Sequence, residues 1–488
     1  MIGLSQRDSA VSTSNVKAAP DQVLADIADY VLNYQVADER SFDTARLCVT
    51  DSLACALDAL DIPACASLLG PLVAGTVVPN GARVPGTRYE LDPATAAFNF
   101  GAMIRWSDLN DSFTAATGGH PSDNLGGILM LADHLSRSRA AAAGKPLVMR
   151  EVLEALAMAY EIQGCIAIEN DFFHQGSDHN LLIRVATTAV LARMLGGTRD
   201  QIINAVSNAW VDTSLVAYRY APNAGSRKNW ACGAASAEAV RLAMMALRGA
   251  QGYPWILTAK QFGFYAARFG GKPFGLPQPY AEYVIQNSMF KFVTAGMHSQ
   301  SAVECSFRLH PLVKDRIGEI ARVEMHGHAP LIDIMDKSGP LRNADDRDHC
   351  VQYVVAVGLI FGKLGPHELE DDFAADPRID ELRGMMVVNE DPRYTRDFYD
   401  PAKRSSANAV QVWFKDGSST PKMAEDYPIG HQRRRAEALP LLRAKFEAAL
   451  ARRFPAKQSD AILRACENGA QLDRMPVHEF VAMFVATA

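Results

Sequence analysis

A chain of 488 residues, 48% apolar and 21% charged, has room for more than one buried core and the balance of an ordinary globular protein. Its net charge of -6 argues against a nucleic-acid partner, which needs a surplus of Lys and Arg to neutralise phosphates. Eight scattered cysteines with no CxxC pair exclude a disulfide framework or a cysteine-held cluster and fit the reducing cytoplasm.

In chain order, residues 1–20 lack the apolar stretch of a secretory signal and read as a disordered tail. From Asp21 to about Tyr265 the pattern is helical, with Asp21 placed to cap the first segment. Amphipathic runs follow at 41–60, 125–135, 149–168, 181–195, 199–215 and 233–247. Gly196, Gly197 and Thr198 stop one helix and cap the next, while residues 71–89 are too rich in Pro and Gly for a regular element. Near Asn287 the texture changes. Residues 320–325 and 409–414 read as strands, and a turn at Lys415, Asp416 and Gly417 leads into a strand at 418–424. Residues 348–361 read as a helix, and helices return at 436–452, 460–467 and 477–486. The expected fold is mainly α: a large helical domain from residues 21–287 and 431–488, interrupted by a smaller α+β lid at 288–430. The longest apolar runs are far short of a membrane span.

Three stretches could carry chemistry. The first runs from Arg105 to Asn124, with Asp108 and Ser112 on one face if that turn is helical, and His120 held before Pro121 in a loop. A histidine beside carboxylates can act as acid or base near neutral pH. The alternative is that residues 122–124 merely cap the helix that follows. The second gathers Arg219, Arg227 and Lys228 before the small-residue helix starting near Cys232, a carboxylate site or simply a solvated basic loop. The third, His298, Ser299 and Gln300, lies at the change of texture, where clefts form, although a lone histidine is more often structural. His326 and His328 would share a strand face, but no third ligand is at a recognisable spacing, and no metal site is expected.

Together these stretches resemble the MmgE/PrpD family, which groups 2-methylcitrate dehydratases with cis-aconitate decarboxylase. The similarity covers nearly the whole chain. It is carried by residues 75–81, 119–127, 221–223, Arg227 with Lys228, 298–300, 336–341, 344–353 and 427–431 with Arg433, Arg434 and Arg435. The chain departs from the family text in two places. Ser112 stands where threonine is common, and Thr294, Ala295 and Gly296 stand where a proline–alanine–glutamate run precedes the histidine.

The resemblance implies a cleft between a helical domain and a lid, a homodimer, and dehydration of 2-methylcitrate to 2-methyl-cis-aconitate with no metal or other cofactor. It places the catalytic aspartate, hydroxyl and histidine on Asp108, Ser112 and His120, and the lysine on Lys228. His298 is a lid-side candidate for a second proton transfer. Arg105, Arg227, Arg347 and Gln300 are candidates for holding the tricarboxylate substrate. Citrate and cis-aconitate, which differ by one methyl, are expected side substrates. A lyase resembling cis-aconitate decarboxylase and a non-catalytic tricarboxylate-binding protein are the alternatives.

Overall fold

The computed structural model describes residues 19–220 and 224–486. Most of the expected tail, the motif residues Ala221, Pro222 and Asn223, and the last two residues of the C-terminal segment lie outside the described residues. The chain is mainly α with a smaller α+β part, helix making up 56% and strand 8%.

Two apolar cores organise it. The larger draws on residues from Val23 to Phe290 and again from Leu442 to Phe484, so the C-terminal helices Arg435–Arg453 and Ala456–Glu467 pack against the N-terminal ones. The smaller spans Ala295 to Phe414. It is built on the helices Gln300–Val313 and Val351–Phe361 and a four-stranded sheet. The sheet order is Met386–Glu390, Ile320–Gly327, Asn408–Phe414, Met423–Glu425. The first pair is parallel and the others antiparallel. The Met386–Glu390 strand was not expected; five residues with partly exposed side chains carry little periodic signal.

Several sequence expectations need correction. The helix expected at 199–215 is Arg199–Ala209, and Leu215 instead bridges to Ser177. The strand expected at 418–424 is reduced to Met423–Glu425. Residues 71–89 do include a regular piece, since Ala82–Arg83 pairs with Glu90–Leu91. Asp21 leaves its helix uncapped and spends its carboxylate on the Leu257 amide, at 2.7 Å, and the Thr258 hydroxyl. The helix expected from 348 begins only at Val351, because Cys350 is extended, which leaves Asp348 and His349 outside the helical ladder.

The helix Pro93–Arg105, absent from the expected set, is central. Asp92 caps it by accepting from the Ala94 and Thr95 amides. It crosses Arg227–Leu247 and Leu125–Ala141 through glycines: a Cβ on Gly101 would lie 2.8 Å from the Cα of Gly233, and one on Gly126 would lie 3.0 Å from the Cα of Gly101. Backbone therefore meets backbone where the three helices bear Arg105, His120 and Lys228 at or beside their ends. Gly101→Ala should lower stability by about 1–3 kcal/mol, because a backbone atom cannot swing aside; an unchanged denaturant midpoint would contradict this contact.

Candidate active site

After Arg105 the chain leaves the helix, and Asp108 adopts a left-handed backbone with φ +50°. The turn is not helical, so Asp108 and Ser112 do not share a helix face. Asp108 is fully buried. Its Oδ1 takes hydrogen bonds from the Arg105 guanidinium and, at 2.8 Å, from Lys291 Nζ. Burial pushes this carboxyl up, but the two cations outweigh it and hold it well below the usual carboxylate range.

Ser112 is held in place through its main chain. Its backbone pairs with Met289 in both directions, at 2.7 and 2.8 Å, while its buried hydroxyl has no hydrogen-bond partner. That short ladder carries Lys291, two residues further on, to Asp108.

His120 donates from Nδ1 to the Asp111 carbonyl at 2.7 Å. A carbonyl only accepts, so Nδ1 carries the proton and Nε2 is bare, 3.5 Å from Asp108 Oδ1. Burial, with the Arg105 and Lys291 charges, holds His120 well below its ordinary value, and the ring is neutral. Burial lowers His179 to about 3 and His349 to about 4 and also depresses His298.

These groups meet at a cleft between the two cores. Arg105, His120, His179 and Arg219 line one wall, and Met297, His298, Asp333, His349 and Tyr399 the other. Asp108 lies one layer behind. Lys228 is buried and bridges the cores, donating to Asp348 at 2.6 Å and to the Asp345 carbonyl at 3.2 Å. Asp348 also receives His349 Nδ1 at 2.7 Å, and His349 Nε2 is 3.9 Å from Asp108 Oδ2.

The structure does not bring Arg227, Arg347 or Gln300 to the cleft. Arg227 is exposed and stacks on Trp230, its guanidinium carbon 4.6 Å from the ring centre. Arg347 is tied to the Leu369 carbonyl and Asp371. Gln300 donates to the carbonyls of Val293 and Ala295, holding the segment that joins the cores. His326 and His328 do not share a face, because the strand ends at Gly327 and His328 turns inward to His298. Asp108, Asp348 and His349 have ligand atoms within 4.8 Å of one another. The carboxylates are already paired with Arg105, Lys291 and Lys228, whose three positive charges oppose a divalent ion there.

Sequence reasoning passed over Lys291, His179, Asp348 and His349. Lys291 stood as a lone cation between Phe290 and Phe292, a pattern that marks a buried charge in need of a partner. Gly296, at the departure from the family text, is close to His349: a Cβ there would lie 3.4 Å from Nε2, and 2.9 Å from Met335 Sδ.

The profile of the MmgE/PrpD N-terminal domain matches residues 25–277, and that of the MmgE/PrpD C-terminal domain matches residues 294–468. The chain belongs to the MmgE/PrpD family. It is 55% identical over 470 residues to 2-methylcitrate dehydratase of Cupriavidus necator, covering 95% of this chain and 97% of the relative. It is 50% identical over 477 residues to 2-methylcitrate dehydratase of Escherichia coli strain K12, covering 97% and 99%. The mitochondrial 2-methylcitrate dehydratase of Yarrowia lipolytica is 45% identical over 489 residues, covering 99% and 94%. Among the described residues no helix of this MmgE/PrpD protein is long and apolar enough to cross a membrane.

Asp108→Asn tests the charge cluster. Asparagine tolerates the left-handed backbone, so the loss falls on the charge, leaving Arg105 and Lys291 buried without their counter-ion. Unfolding in denaturant should show a loss of about 3–5 kcal/mol; a loss below about 1 kcal/mol would mean that the cations find other partners.

Proposed function

We propose that this chain is a hydro-lyase that converts 2-methylcitrate to 2-methyl-cis-aconitate, using side chains in place of a metal. The single observation that carries the mechanism is the bare Nε2 of a neutral His120 on the cleft wall, 3.5 Å from a carboxylate that is ionised whenever the protein is folded near neutral pH. The relatives' names supply the substrate.

In this reading His120 Nε2 removes the proton from the carbon beside a substrate carboxylate, and Asp108 stabilises the imidazolium that results. The electron pair becomes the new C=C bond as the hydroxyl leaves the neighbouring carbon. His298, on the opposite wall and protonated when the substrate carboxylates enter, gives its Nε2 proton so that water departs. Arg105 on the cleft wall and Lys291 behind it are cations that favour an anionic substrate. The second core acts as a lid over the first, the protein works as a cytoplasmic homodimer, and citrate is a side substrate because one methyl is worth only about 1–3 kcal/mol of discrimination.

Chelator-treated protein offered 2-methylcitrate should produce the ultraviolet absorbance of a conjugated C=C bond, and His120→Ala should abolish it. Carbon dioxide from cis-aconitate with no reaction on 2-methylcitrate would instead establish a decarboxylase, and tricarboxylate binding with no turnover a binding protein.

The pH dependence follows from the same geometry. Neutral His120 is the active base, and its value in the folded protein is below the ordinary one. kcat/KM should therefore not fall as pH is lowered from about 8 to about 6, and should rise because His298 must take up a proton, with the acid limb of His120 below the free-histidine value of about 6.5. A limb above about 6.5 would remove His120 as the base.

A further inference from the structure

We propose that His328 is a positioning residue that fixes the tautomer of His298 and so commits His298 Nε2 to proton exchange with substrate. The proposal rests on the reading of His298 as catalytic. His328 is fully buried, does not line the cleft, and is absent from every role assigned above.

The assignment follows from two contacts. His328 Nδ1 faces the Ala407 carbonyl at 3.5 Å, and its Nε2 is 3.0 Å from His298 Nδ1. A carbonyl has no proton to give, so the hydrogen on His328 belongs to Nδ1 and its Nε2 offers a lone pair. His298 must then donate from Nδ1, which leaves Nε2 as the atom that gains or loses a proton on the cleft side. In the reverse arrangement a bare His328 nitrogen would face the carbonyl oxygen, lone pair against lone pair. Burial lowers His328 to about 4, so near neutral pH it has one ring proton and one lone pair.

The surroundings hold this geometry. His328 stacks on Phe398, ring centres 4.5 Å apart and planes 14° from parallel, which blocks rotation of the imidazole. Asn408, next to Ala407, donates to the His298 backbone carbonyl at 2.9 Å. The start of one strand therefore holds both histidines, one through its ring and the other through its backbone. Tautomer control through the nitrogen that does not react is a recurring way to aim a histidine.

Steady-state kinetics of His298→Ala, His328→Phe and His328→Gln test it. Phenylalanine keeps the stack but cannot accept a hydrogen bond, and kcat should fall on the order of 10- to 100-fold, the usual effect of removing a histidine's outer partner, with KM and the unfolding midpoint unchanged. Glutamine can accept from His298 and donate to Ala407, and it should restore most of kcat. An inactive His298→Ala beside a fully active His328→Phe overturns the proposal and leaves the catalytic reading of His298 intact. Full activity in His298→Ala removes both. Should His328→Phe fail to fold, ring-nitrogen shifts of histidine-labelled wild-type protein decide: an Nδ1–H tautomer at His298 supports the proposal, and an Nε2–H tautomer overturns it.

Discussion

The site is organised around one ionised carboxylate that is closed off from the surface. Asp108 is enclosed completely, and a charge in that position persists only when opposite charges are delivered to it with good geometry. Arg105 arrives from the end of the helix just before it, and Lys291 from a segment 183 residues later. Every nearby constraint serves that meeting. The left-handed turn at Asp108 folds the carboxylate back toward Arg105, and the Ser112–Met289 ladder sets the register that brings Lys291 across. The glycine crossings of the three helices set the spacing of the frame in which both occur.

The same burial sets the state of the histidines. Removing water disfavours the imidazolium, and the cations beside Asp108 add to the effect, so His120, His179, His298 and His349 wait as neutral rings. A substrate with several carboxylates reverses part of that penalty as it enters. The proton affinity of the cleft thus depends on whether an anion is present, which suits chemistry that must both take and give a proton within one turnover. Lys228 is tied into the same buried network. Its ammonium is committed to Asp348 and the Asp345 carbonyl, and it fastens the smaller core to the larger at the edge of the cleft.

What the sequence made legible followed from local rules. Helical periodicity located most of the long helices, and the turn at Lys415–Asp416–Gly417 located a hairpin, with Gly417 at φ +86°. His120 before Pro121 was legible because proline restricts the residue ahead of it. Long-range partners were not. Nothing within a few residues of Lys291 names Asp108, and no spacing rule sends Lys228 to Asp348. The four other cations chosen from their sequence neighbourhoods divide: Arg105 and Arg219 reach the cleft, whereas Arg227 and Arg347 satisfy themselves on an indole face and a carbonyl. A basic residue near a motif finds whichever partner the tertiary fold provides.

The return of the C-terminal helix to the first core has a physical reason at this site. Lys445, half-buried on the helix Arg435–Arg453, donates to Asp51 at 2.6 Å, to the Leu109 carbonyl at 2.9 Å and to the Lys291 carbonyl at 3.4 Å. An ammonium has three hydrogens, and here each has an acceptor. One of these acceptors adjoins Asp108 and another belongs to Lys291 itself, so a single cation ties together the backbones that carry the two halves of the central ion pair. Asp51, which is buried, balances its charge. The helix Arg435–Arg453 is in this sense part of the floor of the cleft, although none of its residues reaches the surface where substrate would lie.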